Sequence, residues 1–463
     1  MLLKNKRFCP LFITQFFGAF NDNMLKTAIM AFITYNLTLN RAHEGMLLNF
    51  ISILFILPFF FLSATAGQLA DKYHRDKIAK ILKCIEFVLM LLTAVAVFFK
   101  FYSGLIIILF FMSVQSAFFG PVKYSIIPQH LEECELIEGN AIIDGATYFS
   151  ILIGTILGAH ITSPNITVGI LVFCSLVGML SSFKIPSAPA PRPDLSMSFN
   201  IFKTLRLTLK KISEIRSIYI TILGLSWFWA LGAVILTQLY PMCSDLLGLS
   251  RNAVAVFMFI FSLGMAAGTF VCTKVMRGIV HPTFVPLSSI GIGIATFFLY
   301  LFTKDYVTPD THIGTVVFFK SIPGIKISFI LFFLAFFGGM YIVPLNAFLQ
   351  NKAPKKYLAT IIAGNNIMNA VGIVIFSALV LGLFKIGFII SDIFFLISII
   401  CLCVSLYILT IIPDALPRSM AQSILSLIFK MEVTGLENYE KAGKRVLIIA
   451  NHTSLLDGLL VAS

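Results

Sequence analysis

Twelve apolar stretches recur along the chain, each near the ~20 residues that a helix needs to cross a hydrocarbon core. They fall at roughly 9–37, 46–70, 78–99, 104–127, 139–160 and 164–184, then 217–241, 253–273, 283–302, 327–349, 358–384 and 388–412. The run Val316-Val317-Phe318-Phe319 is too short to be another. Only 12% of the residues are charged, where a soluble domain carries about 25%, so the pattern is that of a polytopic membrane protein. Lys4, Lys6 and Arg7 precede a first run that carries charge and continues far beyond signal-peptide length, which marks it as a span. The eight cysteines match no zinc spacing and no disulfide framework, and the seven histidines form no cluster. No metal and no cofactor is expected.

The net charge of +13 reports topology before partners. With the N-terminus in the cytoplasm, the segments on that side hold twenty Lys and Arg residues, among them Lys72, Arg75, Lys80, Lys83, Arg206, Lys210 and Lys355. The opposite side holds seven: Arg41, Lys100, Arg251, Lys304, Lys320, Lys326 and Lys385. This asymmetry predicts an even number of spans with both termini cytoplasmic. Basic residues scattered over short loops argue against a nucleic-acid partner.

The middle divides the spans six and six. Residues 185–213 contain Pro186, Pro189, Pro191 and Pro193, followed by a basic amphipathic stretch from Phe202 to Ile212. Two six-helix halves around a central cytoplasmic loop resemble the major facilitator superfamily. Gly67-Gln68-Leu69-Ala70-Asp71-Lys72-Tyr73-His74-Arg75 is similar to that superfamily's loop signature, Gly67, Asp71, Lys72 and Arg75 being the matching positions. His74 stands where the second glycine would be, and an ordinary basic loop would read the same way. The resemblance implies an all-α twelve-helix membrane fold: residues 1–184 as one bundle, 185–213 as linker and 214–412 as the second bundle.

Charges inside spans are costly and mark candidate sites. Gln15, Asp22 and Lys26, spaced by seven and four, share one face of the first helix. Asp22 and Lys26 can pair at that spacing, either locking the helix against a neighbour or lining a wet cavity. Asn140, Asp144 and Tyr148 repeat every four residues in the fifth span, opposite small residues that end in Gly154 and Gly158 and allow close helix approach. Glu86 lies in the third span, where it can simply face the loop-proximal end. In the second half the polar residues are mainly amides: Gln238, Asn346, Gln350, Asn365, Asn366 and Asn369. These suit either a phosphate-bearing or zwitterionic head group or helix-to-helix hydrogen bonds. Trp227 and Trp229 read as packing residues or interface anchors.

Several blocks, in order and at the right spans, make the resemblance more specific. They are Gln15-Phe16-Phe17-Gly18-Ala19-Phe20-Asn21-Asp22-Asn23, Gly120-Pro121-Val122-Lys123-Tyr124-Ser125, Gly139-Asn140-Ala141, Gly338-Gly339 with Val343-Pro344-Leu345-Asn346, and Ala363-Gly364-Asn365. Together, over roughly 8–412, they resemble the bacterial lysophospholipid transporter family. The resemblance implies a lysophospholipid substrate, typically lyso-phosphatidylethanolamine, moved to the inner leaflet of the bacterial inner membrane. It also implies Asn21, Asp22, Lys123, Tyr124, Asn140, Asn346 and Asn365 as cavity or gating residues, beside Gln15, Lys26 and Asp144. Ser125 replaces the usual glycine, and the arginine expected near Leu236 is missing.

After Pro413 and Pro417, residues 420–430 are amphipathic, and Val446-Leu447-Ile448-Ile449-Ala450 leads into Asn451-His452-Thr453-Ser454-Leu455-Leu456-Asp457. This resembles the start of a glycerolipid acyltransferase domain. That likeness implies His452 as general base on a glycerol hydroxyl and Asp457 as its orienting partner. Within residues 413–463 only about 30 belong to that domain, too few to bury a core, so a truncated α/β fragment without acyltransferase activity is expected. The partner implied is an acyltransferase and acyl-carrier-protein synthetase module, fused in a longer protein or encoded separately.

Overall fold

The computed structural model describes residues 2–36, 41–161, 163–198, 200–249, 252–276, 278, 280–306, 314–413 and 417. Each expected span coincides with a long helix. The first six are α1 (Cys9–Asn36), α2 (Arg41–Lys72), α3 (Arg75–Phe98), α4 (Tyr102–His130), α5 (Leu136–His160) and α6 (Pro164–Ser182). The linker contributes α7 (Ile201–Ser213), after which come α8 (Arg216–Pro241), α9 (Asn252–Met276) and α10 (Val285–Thr303). A single turn and a half, α11 (Thr315–Lys320), precedes α12 (Ile322–Lys352), α13 (Leu358–Lys385) and α14 (Ile390–Ile411). Hydrocarbon offers the backbone no hydrogen-bond partner, so these apolar runs have no alternative to the helix.

Among the described residues, eleven helices are long and apolar enough to cross a membrane. The twelfth expected span, α1, is 28 residues long but is interrupted by Gln15, Asn21, Asp22, Asn23 and Lys26. Helices α1–α6 pack among themselves, as do α8–α14. The halves meet chiefly along α2 against α13 and α5 against α9, with α4–α13 and α5–α12 between. The α/β acyltransferase fragment finds no support here: His452 and Asp457 lie outside the described residues, which hold no β-strand.

Glycines set the closest crossings. A Cβ on Gly154 would lie 2.6 Å from the Phe20 carbonyl oxygen, and one on Gly158 the same distance from that of Met24, so α5 lies directly on α1. Gly339 does the same for α12 against the Met265 carbonyl of α9. The linker is a tied strap rather than a loose tether. Arg75 N donates to Ala188 O (2.9 Å), Ala188 N to Asp76 Oδ1 (3.0 Å) and Arg192 N to Asp71 O (2.9 Å). It then runs into α7, whose Asn200 side chain accepts the Lys203 N–H as an N-cap.

Candidate functional site

Midway along the helices, between the two bundles, lies a cavity of about 340 Å³. The first bundle contributes Gln15, Gly18, Ala19, Asp22 and Asn23 from α1, Phe55, Ile56 and Phe59 from α2, and Lys83 from α3. Helix α4 adds Ser116, Phe119, Gly120, Lys123 and Tyr124, and α5 adds Thr147 and Ile151. The second bundle supplies Trp229 from α8 and Asn366, Asn369, Ala370 and Ile373 from α13. Steps of three and four along α1, α4 and α13 are one helix face each, which is why these positions converge.

Three charged residues face this space. Lys83 is ion-paired, whereas Asp22 and Lys123, of opposite sign, belong to no ion pair within 4.0 Å among the described residues. Asp22 accepts a hydrogen bond from Ser116 Oγ (2.6 Å), while its other carboxylate oxygen is buried with no hydrogen-bond partner. Lys123 places its ammonium 4.6 Å from the centre of the Tyr124 ring. The expected Asp22–Lys26 pair does not form. Lys26 instead sits 5.1 Å from the centre of the Phe55 ring and is not part of the cavity wall.

Lys83 corrects the sequence reading, which placed it among the loop cations. It is fully buried in α3, lines the cavity and pairs with Glu86 at 2.5 Å. Glu86 also accepts from Asn21 Nδ2 (3.1 Å) and Gln115 Nε2 (3.4 Å), so this one carboxylate joins α1, α3 and α4. It does not face the loop end. The three-residue spacing of Lys83 and Glu86 on a helix was the available signal.

Asn140, Asp144 and Asn346 belong to a polar seam between α5 and α12 and are absent from the cavity wall. Asn140 and Gln350 exchange two amide hydrogen bonds, both 2.8 Å. Asp144 accepts from Tyr124 OH (2.9 Å) and Asn346 Nδ2 (2.8 Å), which ties the seam to the cavity through Tyr124. Asn365 is buried with its Oδ1 unpartnered, whereas its neighbours Asn366 and Asn369 face the cavity. Asn369 Oδ1 accepts from Ser226 Oγ (2.9 Å). Trp229, for which packing and interface anchoring were both open, lines the cavity and stacks on Tyr148 with ring centres 6.1 Å apart. Gln15 donates to Thr147 Oγ1 (2.9 Å) at the cavity edge.

The loop motif closes the basic end of the same interface. Asp71 Oδ1 accepts from the backbone N–H of Ala359, and Oδ2 from the N–H and hydroxyl of Thr360, at 3.1, 3.1 and 2.7 Å. These are first-turn donors of α13, so the carboxylate caps a helix of the opposite half and meets the positive end of its dipole. Arg75 pairs with Asp71 (3.2 Å) and donates to the carbonyls of Ala70 and Ser125, which stitches α2 and α4 together. A Cβ on Gly67 would lie 2.6 Å from that of Ala363, so glycine lets α2 and α13 touch. Lys72 lies over the Tyr73 ring, at 5.6 Å. The carboxamide of Asn351 also reaches Glu133 at this end.

Two six-helix bundles enclosing a central half-polar cavity, shut at one end by hydrogen bonds between the halves, define a solute carrier of the alternating-access type. The sequence profile of the Major Facilitator Superfamily matches residues 11–377, and the chain belongs to that superfamily. Among curated proteins it is 27% identical over 347 residues to the lysophospholipid transporter LplT of Photorhabdus laumondii, covering 73% of this chain and 78% of that one. The LplT proteins of Cronobacter sakazakii (24% identical, 74% and 80% covered) and Pectobacterium carotovorum (25%, 77% and 80%) are similar in the same way. Among solved structures, the E. coli fucose:proton symporter FucP aligns with a TM-score of 0.65 at 12% identity, covering 86% of this chain and 96% of that one. The proton:xylose symporter XylE aligns at 0.63 and 12%, covering 88% and 95%. These two likenesses concern the fold alone.

Proposed function

We propose that this protein carries a lysophospholipid from the outer to the inner leaflet of a bacterial inner membrane, with its basic end and both termini in the cytoplasm. The observation that carries the proposal is the unneutralised pair, Asp22 and Lys123, in one cavity. A zwitterionic head group such as phosphoethanolamine offers an ammonium to Asp22 and a phosphate to Lys123, so each charge would gain an ion-pair partner that it lacks without the ligand. Asn366 and Asn369 offer hydrogen bonds from the other half. Phe55, Ile56, Phe59 and Ile373 give a single acyl chain an apolar wall. The named activity of the LplT relatives supports the same substrate class. With the basic end inside, the closure at Asp71 and Asn140 leaves the cavity to be loaded from the outer side.

The His452/Asp457 box, outside the described residues, supports a finer reading in which imported lysolipid passes to an acyltransferase module for re-acylation. The seam residues Asn140, Asp144 and Asn346 are gating candidates in this scheme, and Asn365 flanks the amides that meet the ligand.

Leaflet-resolved uptake of labelled lyso-phosphatidylethanolamine by proteoliposomes tests the proposal. Asp22→Asn and Lys123→Gln each remove a charge-assisted contact of about 1.5–3 kcal/mol, so uptake at limiting substrate falls about 10- to 100-fold. With lyso-phosphatidylglycerol, which has no ammonium, Asp22→Asn costs little while Lys123→Gln remains damaging. Unchanged uptake in Asp22→Asn removes that residue from the mechanism. No uptake by the parent protein points to a different solute.

A further inference from the structure

We infer that α7 is an anionic-lipid-binding strap lying on the outside of the seam between the halves. Its two faces are sharply divided. At ~100° per residue, Thr204, Thr208 and Ile212 share one side of the helix, and all three are buried. Phe202, Lys203, Arg206, Leu207 and Lys210 occupy the opposite arc, and all five are exposed. Phe202 keeps 74% and Leu207 48% of its surface open. Two large apolar side chains interleaved with three cations are unsuited to a purely aqueous face. They match a surface of acidic head groups above hydrocarbon.

The position of α7 agrees with that occupant. It packs on α2, α13 and α8, and a Cβ on Gly364 of α13 would collide with the Ile212 side chain. Gly364 precedes the cavity-facing Asn366 by two residues, about 200° around the helix. So α7 covers the face of α13 turned away from the cavity, the face that farther along the helix carries the exposed apolar Ile375 and Leu379. It lies at the basic end, where α8 begins only three residues after Ser213. Tyr357, just before α13, holds the strap from below, with Arg192 and Lys211 each 4.4 Å from its ring centre. The strap thus touches both halves where they must part for the cavity to open at this end. Acidic head groups holding its outer face favour the closed arrangement. The inference rests on the placement of α7 and stands whether the carried solute is a lysolipid or another compound.

Hydrogen–deuterium exchange of the segment 200–213 in the full chain tests this, in nanodiscs of phosphatidylcholine alone and of phosphatidylcholine with phosphatidylglycerol. Exchange is expected to slow in the phosphatidylglycerol discs. The preference falls about fivefold for each cation removed, and vanishes in the triple variant K203Q/R206Q/K210Q. The charge-matched control K352Q/K355Q/K356Q, at the exposed α12–α13 turn, keeps it. Unaltered exchange in α13 shows that the triple variant still packs. Equal exchange of the wild-type segment in both bilayers overturns the inference, as does an effect that survives the triple variant or is lost equally in the control.

Discussion

Asp71 and Thr360, on opposite halves of the molecule, share three hydrogen-bonding atoms: one carboxylate oxygen accepts both the backbone N–H and the hydroxyl of the threonine. The contact exists only while the basic end is shut. Asp71→Asn keeps the shape and loses the charge that faces the α13 dipole, a change worth about 1–2 kcal/mol in a partly buried setting. The open-to-closed ratio at this end should rise about 5- to 30-fold. Spin labels on the exposed Tyr73 and Lys356 positions read it as growth of a longer inter-label distance. An unchanged distance distribution shows that Asp71 does not set the closure.

Gly67 and Gly154 both sit at close crossings, but they should fail differently. Gly154 packs α5 on α1 within one half, so Gly154→Val damages the fold itself and lowers the thermal midpoint. Gly67 packs α2 on α13 across the halves, and a valine there is relieved by opening the basic end. Gly67→Val should lengthen the same inter-label distance with little loss of thermal stability. Loss of stability equal to that of Gly154→Val contradicts this division.

The spans, the amphipathic linker helix and a close crossing at Gly154 and Gly158 were legible as periodicity and spacing, but that α1 is the helix they cross was not. Periodicity of one helix also located Gln15 and Asp22, because their shared face is a local property. Partner choice was not legible. Asp22 faces Ser116 on α4 rather than Lys26 one turn away, since helix packing decides which residue lies opposite. Asn140 and Asn346 read as cavity or gating candidates, with helix-to-helix hydrogen bonds the open alternative for Asn346, and they are matched to Gln350 and Asp144, at separations of 210 and 202 residues. Lys83 looked like a loop cation because Lys77 and Lys80 precede it at the same end of the helix. The Glu86 carboxylate, itself held by Asn21 and Gln115, and the Phe119 ring 4.4 Å from its ammonium explain why its charge is tolerated inside.

The reciprocal amides Asn140 and Gln350 allow a clean coupling measurement. Each donates to the other, so removing either strands one donor and one acceptor. A double-mutant cycle of Asn140→Ala and Gln350→Ala, read from thermal or chemical unfolding in detergent, should return a coupling of about 0.6–1.7 kcal/mol. Additive single-site effects contradict a direct pairing of α5 with α12.

The Lys83–Glu86 pair is dry, with 2% and 1% of the side chains exposed, and its attraction is offset by the desolvation of both ions. Glu86→Gln leaves the ammonium without its counter-ion and weakens the attachment of Asn21 and Gln115 to the same group. A loss of about 3–5 kcal/mol of stability is expected from breaking one side of such a pair. Replacing both, Lys83→Met with Glu86→Leu, removes the stranded charge and should recover much of that loss. The order of thermal midpoints, double variant above Glu86→Gln, checks the argument. The double variant also separates stability from transport: Glu86 holds α1 beside α4 one residue away from the Asp22–Ser116 contact. A stable double variant should therefore show weakened lysolipid uptake through a mispositioned Asp22. Wild-type uptake in that variant indicates that α1 and α4 keep their register without Glu86.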